Sequence, residues 1–141
     1  MNTPSGTGAG PRTDSGPGNE PATDGGPLRR FRDPAYRPLA ANLAEVRANI
    51  DRLDDAIVAL LAERAMYVKD AARFKRDAYQ VSAPARQAEV FAKVRALAQK
   101  HDRGFEHLPD VVEAAYRALV AAFIANEQAY FNQTETIGNA Q

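Results

Sequence analysis

From Ala41 to Val81 the chain contains neither proline nor glycine. Across that run Val46, Ile50, Leu53, Ile57, Leu60, Leu61, Val68 and Ala71 recur at three- and four-residue steps, the spacing of one helical face. The pattern predicts a first helix of about 36 residues, about 54 Å long at 1.5 Å per residue. A compact domain of about 100 residues has a radius of gyration near 13 Å, so one chain cannot cover such a helix along its length. The apolar stripe persists from end to end, and an exposed stripe of that length is costly in water. The simplest solution is a homodimer in which the long helix is covered by its own copy.

The remaining chain keeps the same period. A second helix is expected after Ser82 as N-cap, with Pro84 in its first turn, and it runs through Val90, Val94 and Leu97. It stops near "KHDRG", where Gly104 is a C-cap candidate. Pro109 opens a third helix that carries Val112, Ala115, Leu119 and Ala122. No strand-like alternation and no internal repeat is found, so the fold class is all-α, with three helices per chain, one very long, in a homodimeric bundle. The helical domain is placed at residues 39–135, after an N-terminal tail of residues 1–38 and before a short tail of residues 136–141. Residues 1–27 are rich in Gly, Pro, Ser, Thr and Asp; a segment that buries so little cannot offset its ordering entropy, and it is read as disordered. "LRRFRDPAYRPLA" at residues 28–40 is either an anion-binding arm or, the favoured reading, an extended lead-in to the first helix.

Composition narrows the chemistry. The 141 residues carry 18 Lys+Arg against 18 Asp+Glu, a balance that argues against a nucleic-acid footprint. Without cysteine there is no disulfide framework, no thiol nucleophile and no Cys-rich zinc site, and two histidines cannot alone fill a metal shell. No metal and no cofactor is therefore expected. The opening "MNTPSGTGAGPRTDSG" lacks the apolar core of a signal peptide, and no stretch approaches the ~18 apolar residues of a membrane span. A cytoplasmic protein without a membrane partner is the expectation.

Within the first helix two cations stand where apolar side chains belong. Arg64 has Leu60, Leu61, Tyr67 and Val68 three and four places away; Lys75 has Ala71, Ala72, Ala78 and Tyr79. On a straight helix these two residues, 11 apart, differ by about 20° in direction and about 16 Å in height, so long side chains can converge between them. Arg47, 17 residues before Arg64, lies about 25 Å away and about 100° around. One small ligand cannot touch both from one helix, but in an antiparallel dimer Arg47 of one chain can approach Arg64 of the other. A site built from all three is shared between subunits.

Other charged positions have plainer readings. Arg73, among Lys69, Asp70, Arg76 and Asp77, belongs to a solvated face, and Arg47 has Asp51 as an i+4 partner. Snorkelling accounts for Arg64 as well as a bound anion does. Lys75, near the helix end beside Arg76 and Asp77, reads on pattern alone as surface, and Arg86, in the first turn of the second helix, is equally compatible with the surface. Gln128 lies on a mostly apolar patch with Ile124, Ala125 and Phe131, and Glu127 has almost the same surroundings, so periodicity does not choose between them.

The succession "VRANIDRLDDAIVALLAERAMYVKDAARFK", "APAR" and "ANEQAYF" resembles the all-helical chorismate mutases over about residues 43–133. The motif is an Arg, "IDxLD", an Arg 17 residues after the first and a Lys 11 further on, with "PxR" and a helix-three Gln following in order. The resemblance implies an intertwined homodimer with two active sites, each using a basic residue of the other chain. It implies that Arg47 is donated across the dimer to a substrate carboxylate, that Arg64 holds a carboxylate in its own chain, and that Lys75 lies near the breaking ether bond. Arg86 becomes a further carboxylate or ring contact, and Gln128 a donor to the ether oxygen. Many mutases of this family carry Glu directly after the "PxR" arginine to hold the ring hydroxyl; here the residue is Gln87.

The implied reaction is the intramolecular rearrangement of chorismate to prephenate in aromatic amino-acid biosynthesis. It requires no nucleophile, metal or redox group, consistent with the sparse inventory above. Guanidinium groups match the substrate's two carboxylates. "YVKDAARFK" and "APAR" also resemble isochorismate pyruvate lyases, which share the fold and basic constellation and belong to salicylate formation. An amino-substituted chorismate is a third substrate such a site would take. With no fused dehydratase or dehydrogenase segment, a monofunctional mutase is expected. The reading from another class is a non-catalytic helical dimerisation module in which Arg64 and Lys75 only snorkel.

Overall fold

The computed structural model describes residues 19–138, and among them every regular element is helical. Helix α1 spans Leu43–Ala71, followed by a 3-10 turn at Ala72–Phe74; α2 is Ala78–Ser82, α3 Pro84–His101 and α4 Leu108–Phe131. The chain divides between Asp54 and Asp55 into two compact units, so α1 contributes to both.

In the first unit, α1 begins with a reciprocal cap. Asn42 Oδ1 accepts from the Glu45 amide at 2.9 Å, and Glu45 Oε2 accepts from the Ala41 amide at 2.9 Å, so two amides at the helix start are satisfied. Residues 19–42 form no helix or strand, yet they are tied down: the Ala44 amide donates to Thr23 O at 2.9 Å. Asp33 Oδ1 accepts from the Ala35 amide and closes a turn that brings the Phe31 and Tyr36 rings to 4.5 Å. The expected disorder of residues 1–27 lies for residues 1–18 outside the described residues, and residues 139–141 of the short tail lie outside them too.

In the second unit α3 and α4 pack along one another and α2 packs on α4. The core is small: Val81 from α2, Phe91, Val94 and Ala98 from α3, Val120 from α4, and Ala72 from the 3-10 turn. Phe91 also carries the Arg117 guanidinium over its ring at 4.4 Å, and Arg95 of α3 reaches Asp110 of α4 at 2.9 Å. Helix α1, in contrast, buries no residue. Ile50, Leu53, Ile57 and Leu60 of its stripe are about half exposed or more, with Leu60 at 65%. The chain alone leaves this apolar face uncovered, as its length requires.

The first helix is shorter than its pattern predicts. Propensity permits helix through residue 81, but the side chains of Asp77 and Gln80 compete for the backbone. Asp77 Oδ1 accepts from the Gln80 amide at 2.9 Å, and Gln80 Oε1 accepts from the Arg76 amide at 2.6 Å. These bonds start a new helix and hold residues 75–77 out of the old one. Lys75 is accordingly extended (φ −99°, ψ 142°), and the straight-helix relation between Arg64 and Lys75 does not hold.

Two cap assignments also change. Ser82 ends α2, and Ala83, in the left-handed region (φ 43°, ψ 62°), is both its C-cap and the N-cap of α3. The corner is too tight for Ser82 to act as a side-chain cap of α3. Helix α3 ends at His101 with Asp102 as C-cap. Gly104 (φ 103°) instead forms the turn beyond, where Asp102 Oδ1 accepts from the amides of Gly104 and Phe105. Pro84 and Pro109 occupy first turns as expected.

Loss of the Asp77 cap tests this account of the break. Asp77→Ala is expected to lower the unfolding free energy by about 1 kcal/mol, read from urea denaturation at fixed protein concentration. An unchanged midpoint would show that the cap does not hold α2.

Candidate functional site

The break in the helix builds the wall of a cavity of about 340 Å³ in the second unit. Arg64, Val68 and Ala71 line it from α1, Lys75 from the extended link, Ala83 from the α2–α3 corner, Arg86, Gln87 and Val90 from α3, and Val120, Phe123, Ile124 and Glu127 from α4. Four of the six residues singled out from the sequence thus meet in one place: Arg64, Lys75, Arg86 and Gln87.

Each is held differently. The Arg64 guanidinium lies over the Phe123 ring at 4.9 Å, a contact of order 1 kcal/mol that fixes the side chain against α4. Its Nη1 is buried without a hydrogen-bond partner. A buried guanidinium N–H with no acceptor is costly, and a carboxylate in the cavity would satisfy it. Lys75 Nζ donates to Gln80 O at 3.2 Å and lies 3.3 Å from Glu127 Oε1. The second contact is an ion pair by distance; its angles do not make it a hydrogen bond, so Oε1 keeps unused acceptor capacity. Arg86 is more exposed and pairs with Glu89 Oε1 at 2.8 Å, one turn along α3. Gln87 Nε2 donates to Ser82 O at 2.6 Å, which bridges the corner at Ala83 and leaves the amide oxygen and the second Nε2 proton for other partners.

Two residues stand elsewhere. Gln128 does not line the cavity: its Nε2 donates to Ala78 O at 2.9 Å, which ties α4 to the first residue of α2. The place expected for it is taken by Glu127, which is 5% exposed. The reason is one residue of register. Periodicity left Glu127 and Gln128 open; in the structure Val120 is buried and shares the cavity-lining face of α4 with Phe123, Ile124 and Glu127, so Gln128 turns away from that face. A Glu at i+7 from the buried Val120 was the available signal. Arg47 belongs to the first unit, and the partner it finds is Glu20 at 3.9 Å rather than the Asp51 expected from i+4 spacing. Arg73, read as surface, is exposed and pairs with Asp70 at 2.9 Å.

The cavity therefore presents cations from three directions and a single buried carboxylate. Such a lining selects a small ligand with more than one negative charge, and it holds that ligand by fixed donors. Among the described residues no group of three or more His, Asp or Glu is arranged to hold a metal, and no helix is long and apolar enough to cross a membrane.

Comparison with known proteins agrees with this chemistry. The family model for chorismate mutase type II matches residues 46–128, more than half of the chain and all the cavity-lining residues. An isochorismate pyruvate lyase of Pseudomonas aeruginosa is 34% identical over 94 residues, covering 65% of this chain and 87% of that protein. A chorismate mutase of Methanocaldococcus jannaschii is 34% identical over 61 residues, covering 43% of this chain and 62% of that protein.

The placement of Gln128 is open to a direct check. Gln128→Ala is expected to lower stability by about 1 kcal/mol in urea, the worth of one neutral hydrogen bond. If the amide were idle, the denaturation midpoint would stay where it is.

Proposed function

The chain belongs to the chorismate mutase type II family, and from that premise we propose that it is an isomerase converting chorismate to prephenate. One observation supports this most: Arg64, with a buried unpaired N–H, and the Lys75 ammonium face one small cavity. The substrate is a dianion, and its rearrangement breaks an ether bond within one molecule. Arg64 and Arg86 take carboxylates and fold the enolpyruvyl arm over the ring, which is catalysis by orientation. Lys75, fixed by Gln80 O, donates to the ether oxygen as negative charge develops there. Gln87, held by the bond from one Nε2 proton to Ser82 O, accepts from the ring hydroxyl through its amide oxygen.

Glu127 takes the role expected of Gln128, with one difference. A carboxylate beside the ether oxygen stabilises the transition state only as the protonated donor; ionised, it opposes the same developing charge. Glu127→Gln is therefore expected to keep at least the parent kcat/KM with chorismate at neutral pH, whereas Glu127→Ala loses about tenfold or more. The reverse order would show that the ionised carboxylate serves the reaction.

The second copy belongs to this reading. The uncovered stripe of α1 supports an intertwined homodimer, and in it Arg47 reaches the partner's cavity and shares in holding one of the two carboxylates there. Sedimentation of a dimer, with kcat/KM lowered about 10- to 100-fold but still measurable in Arg47→Ala, is the expected result. A cytoplasmic location goes with this reading.

Lys75 carries the strongest expectation. Because Lys75→Ala alone strands the buried Glu127, the change belongs in a Glu127→Gln background. There it is expected to lower kcat by about 10²–10³-fold while the protein remains a folded dimer. Near-normal turnover would remove Lys75 from the mechanism.

A second reading, an isochorismate pyruvate lyase, is favoured by Gln87 in place of the Glu usual in mutases and by the Pseudomonas relative, 87% of which this chain covers. Separate incubation with chorismate and isochorismate decides it. Prephenate from chorismate is the outcome expected; salicylate with pyruvate from isochorismate would establish the lyase, and neither product a non-catalytic module.

A further inference from the structure

The N-terminal segment comes to the one functional arginine that the cavity does not contain. Arg47 Nη2 lies 3.9 Å from Glu20 Oε2, and the Glu20 side chain is 90% exposed, so no packing accounts for its position. A main-chain bond independent of that pair anchors the same segment: the Ala44 amide donates to Thr23 O at 2.9 Å. Ala44 and Arg47 are i and i+3 on one face of α1, and Thr23 and Glu20 are likewise three residues apart. Two contacts of different chemistry thus align residues 20–23 along the face that carries Arg47. The bond to Thr23 O also satisfies an amide in the first turn of α1 that has no partner within the helix, which gives the segment a reason to stay.

We propose that Glu20 is a built-in competitor for the substrate carboxylate, occupying Arg47 until chorismate displaces it. The inference rests on the assignment of Arg47 to the active site made above. A carboxylate on a guanidinium is the same ligand chemistry that the dianion offers, so the two are mutually exclusive at Arg47. The pair is exposed and not tight, so it sets a modest threshold that a dianion with further contacts at Arg64 and Arg86 overcomes. Glu20 thereby raises KM and leaves the chemical step alone, because it has left Arg47 once substrate is bound.

Glu20→Gln in the full-length chain, assayed with chorismate, is expected to lower KM about two- to fivefold with kcat unchanged, the range of an exposed ion pair. In an Arg47→Ala background the same substitution is expected to leave KM where it was, because nothing remains to compete for. A parent-like KM in Glu20→Gln, while Arg47→Ala is crippled, would overturn the competitor and leave the role of Arg47 standing. An equal fall in KM with and without Arg47 would also overturn it, by showing a general charge effect. Full activity in Arg47→Ala would overturn both.

Discussion

Lys75 held against a buried carboxylate is the interaction on which the rest of the site depends. An ammonium and a carboxylate at 3.3 Å, the latter 5% exposed, are costly to desolvate, and the loss of either leaves the other stranded. The structure around them looks built to keep them in place. Asp77 and Gln80 stop the first helix, Gln80 O takes one ammonium proton, and Gln128 ties α4 to the start of α2. Without the break Lys75 would stand about 16 Å along a straight helix from Arg64; with it, the ammonium enters the cavity that Arg64 lines.

The small core has the same logic. Val81, Phe91, Val94 and Val120 form the core of α2, α3 and α4, and Val81 and Val120 also line the cavity, yet α1 is left with no buried residue. A chain with so little interior of its own is marginal in isolation. In the proposed dimer the copy that covers the apolar face of α1 would also bring Arg47, so that face would serve both stability and function.

Strain and satisfaction are unevenly distributed. Ala83 adopts a left-handed conformation that costs an L-residue about 1–2 kcal/mol, and it does so at the cavity wall, where the Gln87–Ser82 bond braces the corner. The surface pairs, Arg73–Asp70 and Arg86–Glu89, are exposed and contribute little. Among the described residues, the buried side-chain atoms without a hydrogen-bond partner are Arg64 Nη1 and the ion-paired Glu127 Oε1, and both residues line the cavity. Polar groups left unsatisfied in the one place a charged ligand would enter are what distinguishes this cavity from a packing defect.

Much of this was legible in the sequence because it is periodic or local. Apolar spacing fixed the all-α class, the three main helices and the helix too long for one chain to cover, and proline placed the starts of α3 and α4. The misplaced cations at 64 and 75 marked the site. What periodicity could not carry was competition and register. Helix propensity extends through residue 81, and only side chains bonding back to the main chain at 76–80 end it early. Glu127 and Gln128 have equivalent neighbours along the helix, and which one faces inward is decided by Val120 and Phe123 finding their places against the other helices. Sequence alone determined the three main helices and their chemistry, because those follow from local spacing. Tertiary structure decided which side chain enters the cavity, because a turn of 100° per residue makes that choice depend on what the helix packs against.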